Sequence, residues 1–256
     1  MELKKIHKEL KKEIDNHKSS LEKVVRAFIF DLETEERVIV PQLEKTGEFQ
    51  ELMDKFFKNH SKPLLKGLAE KIRKALRLSV DNFKEDGAKL SDVTYIERSL
   101  GIYDGKIQKH KDGKMTVLFA IASLKVVEND ILSLLSNAFT GMVTRTDLWK
   151  ATSKTISRKH YDFFETYAMG SVFQSYNAAQ LSFARKYGYN KFLYAGGIIE
   201  ESRDFCVERA GRVFSRKEGE EWNDMDWKGK IAGVDFFIQA GGHNCLHLIE
   251  WTKENE

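Results

Sequence analysis

Proline is scarce in this chain, with only Pro41 and Pro63 among 256 residues, so nothing after position 63 forbids a helix from running on. Cysteine is equally scarce. Cys206 and Cys245 are too few to staple a chain of this length, which argues against a disulfide-built secreted fold and predicts a reducing compartment. An excess of one charge is missing too: 42 basic and 39 acidic side chains leave +3, too little to argue for a whole-protein nucleic-acid footprint, so any DNA contact is expected to be local. Long apolar runs are also absent. The richest stretch, MTVLFAIASLKVVENDILSLL, is interrupted by Lys125, Glu128 and Asp130, and the opening MELKKIHKELKKEIDNHK is charged throughout. The expectation is therefore no signal sequence, no membrane span, and work inside the producing cell or in a particle assembled there. No fixed-period repeat or low-complexity tract occurs.

What the chain does have is 41% hydrophobic and 32% charged side chains, enough to bury a core. Leu3, Ile6, Leu10, Ile14, Leu21, Val24, Val25 and Phe28 recur at three- and four-residue steps and predict one long amphipathic helix ending near Phe30. The segment ERVIVPQL breaks that period. Leu43, Phe49, Leu52, Met53, Phe56 and Phe57 then start a second stripe that is expected to stop before Pro63. Leu64, Leu65, Leu68, Ile72, Ala75, Leu76, Val80 and Phe83 mark a third, whose other face carries Lys62, Lys66, Lys71, Arg73, Lys74 and Arg77.

Residues 84–114 read as glycine-punctuated connectors with one brief helix that Ser91 could cap. A helix from Met115 to Phe139 follows, with Val117, Leu118, Ile121, Leu124, Val127, Ile131, Leu134, Leu135 and Ala138 inward and Gly141 after its end. Helical spacing resumes from Thr144 to Tyr187, where Gly188 is the expected C-cap. After Gly188 the period changes. KFLYAG and RVFS read as strands, SRDFCVERAG as a turn with a helical stub, KEGEEWNDM as a short helix, and FFIQAGG and NCLHLIEW as strand-like. The predicted fold class is α+β, mainly α: a helical body over 1–142 and, over 143–256, a helix leading into a small mixed α+β module.

The segment from Tyr161 to Trp251 resembles the C-terminal region of phage Mu-type minor head, or head-morphogenesis, proteins. The resemblance covers roughly residues 145–256. It is carried by Asn177, Tyr187, Gly188, Phe192, Tyr194, Gly196, Ser202, Arg203, Cys206, Gly211, Val213, Phe214, Trp227, Gly229, Gly241, Gly242, Asn244, Cys245 and His247, in that order. Leu246 stands where the family usually has arginine, and His243 where it often has an aromatic residue. The resemblance implies a low-copy structural component of a phage head, assembled in the bacterial cytoplasm beside capsid and portal proteins, with no enzymatic activity. On that reading Arg203, Gly211, Trp227, Gly241, Gly242 and Asn244 are structural.

The cysteines and histidines admit several readings. If residues 243–247 are extended, His243, Cys245 and His247 share one face, and Cys206 could complete a nitrogen–sulfur set of the kind tetrahedral zinc prefers. The same thiols could be small buried residues, could pair as a disulfide after lysis, or could form a nucleophile, with Cys245 beside His243 and Asp204. Arg203 and Asp204 could pair within their turn, and Trp222 and Trp227 are expected to close the apolar side of the module. Lys71, Arg73, Lys74 and Arg77 could touch packaged DNA, as in an internal or ejected virion protein, although Glu70 interrupts the basic helix from Lys62 to Arg77 and no aromatic platform is interleaved. A zinc- or cysteine-dependent hydrolase is the enzyme reading. His7, His17, His60, His110 and His160 lie far apart in sequence and prompt no functional account.

Overall fold

A computed structural model describes residues 2–40, 42, 44–103, 106–107, 125–160, 164, 168–243 and 245–253. The first amphipathic stripe is helix α1, Glu2–Phe30, and Leu3, Ile6, Leu10, Ile14, Leu21, Val25 and Ile29 are all buried along one face. The break after it is a two-residue hairpin, with β1 (Thr34–Glu35) antiparallel to β2 (Val38–Ile39). Glu36 and Arg37 both carry positive φ, 47° and 74°, which matches the right-handed twist of such a tight turn.

Helix α2, Glu44–Phe56, ends before Pro63 as its pattern predicts, but the chain does not leave the helical path. A π turn at Phe57–Ser61, closed by the Lys62 N–H on the Phe57 carbonyl, leads straight into α3, Lys62–Asn82. Pro63 therefore sits in the first turn of α3, where its missing N–H costs least. A 3-10 turn at Leu90–Val93 and helix α4, Thr94–Ser99, supply the brief helix expected in the connector. Ser91 does not cap it; the Asp92 carboxylate accepts the Lys89 N–H instead, at 3.1 Å. β3 (Ile102–Tyr103) and β4 (Lys106–Ile107) form a second small hairpin.

Helix α5, Lys125–Thr140, carries Val127, Ile131, Leu135 and Ala138 inward. The expected beginning of this helix, with Val117, Leu118, Ile121 and Leu124, lies outside the described residues, as do Leu43, His110, Phe163, Tyr167 and Asn244. The pattern from Thr144 on forms α6, Arg145–His160, and α7, Met169–Tyr187, and Gly188 at φ 75° caps α7 as expected. α7 is the axis of the molecule, with twelve buried residues spread round its circumference. It packs on α3 and α1 on one side and on the C-terminal elements on the other, so the core runs across the boundary expected at residue 142.

The C-terminal unit holds a three-stranded antiparallel sheet in the order β6 (Val213–Ser215), β5 (Lys191–Ala195), β7 (Leu248–Thr252). β5 and β7 bury alternate residues: Phe192 and Tyr194 on one, Ile249 and Trp251 on the other. Around Phe192 stand the rings of Phe214, Trp222, Phe236, Phe237 and Trp251, with centroids 5.2 to 5.9 Å away. Three short helices join the strands: α8 (Asp204–Val207), α9 (Arg216–Glu221) and α10 (Phe236–Gln239). The last corrects an expectation. FFIQAGG is not a strand, because the Asp235 carboxylate accepts the Phe237 N–H and starts a helical turn. The protein is thus mainly helical α+β, and among the described residues no helix is long and apolar enough to cross a membrane.

Candidate metal centre

The end of α10 sets up the site. Ala240 takes φ 48°, the turn Gly241–His243 follows, and the chain then runs irregularly through Cys245 to His247 before joining β7. This turn is held from three sides. The Arg203 guanidinium, at the start of α8, donates to the carbonyls of Gly241 and His243. The Trp227 indole N–H donates to the same Gly241 carbonyl at 3.1 Å while its ring stacks on Phe205 at 4.2 Å. The His243 N–H donates to the Gly229 carbonyl at 2.8 Å.

Glycines make that approach possible. A β-carbon on Gly242 would lie 1.9 Å from the Gly229 carbonyl oxygen, and one on Gly229 would lie 2.6 Å from the Arg203 guanidinium. Both residues also have left-handed φ, 91° and 92°. Gly211, at φ 75°, turns the chain into β6 and donates its N–H to the Tyr194 carbonyl. Asn177 on α7, almost fully buried, donates to the Ile238 carbonyl and accepts the Ile249 N–H, which ties α10 and β7 to the central helix.

Inside this frame three ligand atoms meet. Cys206 Sγ lies 4.0 Å from Cys245 Sγ, which lies 3.5 Å from His247 Nδ1, and all three atoms fall within 4.8 Å of one another. Cys206 and His247 are buried and Cys245 is half-buried. Cys245 Sγ accepts the N–H groups of Gly241, at 3.2 Å, and His247, at 3.5 Å. The hydroxyl of Tyr194, a fully buried residue, sits 3.3 Å from Cys206 Sγ and 3.8 Å from Cys245 Sγ. The His247 ring stacks on Tyr194, with centroids 4.9 Å apart, and lies so close to Gly196 that a β-carbon there would come within 2.4 Å of the ring.

The electrostatics follow from this crowding. The hydrogen bond from Cys245, with lesser help from His247 and Tyr194, pulls the Cys206 thiol well below the usual thiol range. The same bond, with burial, pushes Cys245 up, since two thiolates at this separation repel. Burial and the adjacent sulfurs likewise push the Tyr194 hydroxyl up.

Of the four ligands expected from the sequence, the structure gathers Cys206, Cys245 and His247, and His243 is not among the clustered atoms. The reason is conformational. Residues 241–243 form a turn rather than a strand, so the two-residue alternation that put His243 beside Cys245 does not exist. His243 contributes its backbone to the Gly229 and Arg203 contacts. The nucleophile arrangement falls with it: the imidazole beside Cys245 belongs to His247, and Asp204 is exposed. Arg203 binds carbonyls rather than Asp204, and Trp222 and Trp227 close the apolar side as expected.

Three of the four candidate DNA contacts are engaged with carboxylates. Lys71 meets Glu13 at 2.7 Å, Arg73 meets the buried Glu97 through two hydrogen bonds, and Lys74 meets Glu2; Arg77 is exposed. The sequence reading missed two contacts entirely. Tyr194 reads as a strand residue, and nothing in the sequence shows that its hydroxyl reaches the thiols. His17 and His160, 143 residues apart, meet in the helical body with Nδ1 and Nε2 3.2 Å apart, and His17 Nε2 lies 3.0 Å from the Ser61 hydroxyl of the π turn. No local pattern could have paired them. Comparison with protein-family models, with curated proteins and with solved structures finds no match to this chain.

Proposed function

We propose that this chain is a structural minor head, or head-morphogenesis, protein of a tailed bacteriophage, acting in capsid assembly or beside the portal. One observation carries the reading: the residues of the minor-head resemblance are engaged with one another. Arg203 and Trp227 both reach the Gly241 carbonyl, Gly229 and Gly242 allow two backbones to touch, and Asn177 fastens the result to α7. Such residues fix a shape, which is the property an assembly part needs. Ile198, Ile199, Val207, Val213, Met225 and Leu246 stand exposed on the same unit and offer apolar surface to other head proteins. An internal DNA-contacting protein is the weaker reading, because Lys71, Arg73 and Lys74 are already neutralised by carboxylates.

The test is mass spectrometry of particles banded by density from the culture whose genome encodes this chain. Peptides of the chain are expected at a low, reproducible ratio to the major capsid protein. Their absence from intact particles, with the chain present in the soluble lysate, would overturn the proposal.

A further inference from the structure

The geometry points to a zinc ion held by Cys206 Sγ, Cys245 Sγ and His247 Nδ1, a site that pins α8 to the chain entering β7 and that stands independently of any role in a phage head. The distances decide between the readings of these residues. With Zn–S near 2.3 Å and Zn–N near 2.0 Å, a tetrahedral ion needs S···S separations of about 3.8 Å and S···N separations of about 3.5 Å. The observed values are 4.0 Å and 3.5 Å, and the remaining S···N edge is no more than 4.8 Å. A shift of up to about 1.3 Å in one side chain closes the set. A disulfide instead requires the sulfurs to approach to about 2.05 Å, half the present separation.

The surroundings are wrong for inert packed thiols. Cys245 Sγ receives two backbone N–H groups, and the Tyr194 hydroxyl lies beside both sulfurs. Donors aimed at sulfur stabilise negative charge on it, and a metal-bound thiolate carries that charge. Backbone shape gives a second, separate indication. A β-carbon on Gly241 would stand 2.4 Å from Cys206 Sγ and 2.8 Å from Cys245 Sγ, and one on Gly196 would strike the His247 ring. Glycine at these two positions is what lets all three ligands converge. The imidazole is aimed by its stacking on Tyr194 and needs no strand geometry to reach the sulfurs. Two thiolates and one imidazole form a borderline-soft set that favours zinc over magnesium, calcium or manganese.

The experiment uses the full chain, purified under reducing conditions without chelator. Elemental analysis is expected to give one zinc per chain, and replacement by cobalt(II) a thiolate-to-metal charge-transfer band with tetrahedral visible bands. His243→Ala should keep the metal and the spectrum. Cys206→Ser and His247→Ala should weaken binding about a hundredfold, with far-ultraviolet circular dichroism reporting whether the helices persist. Should either variant fail to fold, mercurial titration of the native chain gives the same answer, because zinc should leave in step with modification of the two thiols. The inference is overturned if the folded chain takes up no zinc, if cobalt binds without a thiolate band, if His243→Ala loses metal as His247→Ala does, or if mercurial titration releases no zinc.

Discussion

Gly242 shows what one residue contributes to this molecule. Its φ of 91° lies where side chains are strained, and a β-carbon would stand 1.9 Å from the Gly229 carbonyl oxygen, a backbone atom with little room to retreat. Gly242→Ala is expected to destabilise the fold by about 2–4 kcal/mol in urea unfolding, whereas Gly197→Ala, with no heavy atom within 4 Å of its new methyl, should change stability by about 0.5 kcal/mol or less. Equal effects at the two positions would refute this account of the turn. The sequence marks Gly241 and Gly242 only as structural residues of the resemblance; that Gly242 combines a left-handed φ with close backbone approach, while Gly241 faces the two sulfurs, is visible only in the structure. The sequence made Cys206 and Cys245 legible as partners. It misplaced His243, since alternation along a strand is a sound rule only where a strand exists, and the turn it borders was disguised by apolar neighbours. Nothing in the letters told that the Tyr194 hydroxyl would face the sulfurs, because the direction of a buried side chain depends on which element lies opposite.

Helices α1, α3 and α5 were readable because amphipathic periodicity is a local signal, repeated every turn and insensitive to what lies across the interface. Helix α10 was not, since one turn is too short to show a period; its Asp235 cap was the available clue. The join between elements is harder still, and the His17–His160 contact shows why it matters. It ties α1 to α6, while Ser61 ties α1 to the π turn that leads into α3. Burial holds His17 down to about 4, aided by the charge of His60, and His160 down to about 3, aided by His17 and Lys18. Both folded values lie below the ordinary histidine value near 6.5, so the unfolded chain takes up protons first as pH falls. The stability from keeping these rings neutral is complete above about pH 6.5 and is lost progressively below it, by about 1.4 kcal/mol per pH unit for each ring, down towards the folded values. Urea midpoints measured from pH 7 to pH 5, above the range where the carboxylates Asp86 and Asp92 titrate, should fall steeply in the native chain. His160→Phe should reduce that slope by up to about 1.4 kcal/mol per pH unit, leaving the parts that belong to His17, to His7, which burial also holds below its ordinary value, and to the lowered Cys206 thiol. An unchanged slope would show that the pair does not govern acid stability.

At the scale of the whole molecule, the sequence divides near residue 142 into a helical body and a later module, and each half has its own pattern. The structure joins them through α7. Its buried side chains face α3 and α1 on one side and α10 and β7 on the other, and a single continuous core extends from Leu3 to Trp251. A stripe of apolar residues reveals that a face is buried, never against which partner, so this continuity could not be read from the chain. It has a measurable consequence. Of the four tryptophans, Trp222, Trp227 and Trp251 lie in the C-terminal unit, so fluorescence reports mainly on that unit, whereas far-ultraviolet circular dichroism is dominated by the long helices of the body. If α7 makes one cooperative core, urea unfolding of the intact chain should give coincident transitions by both probes. A C-terminal unit with its own stability would lose its fluorescence signal at a different urea concentration from the helical signal, and the shared core would then be refuted. The fragment 143–256 gives a second reading of the same question. Cut away from α1 and α3, it exposes the face of α7 that those helices cover, including Phe173 and Tyr176, and should be recovered as aggregate or as a loosely packed state without a cooperative melt.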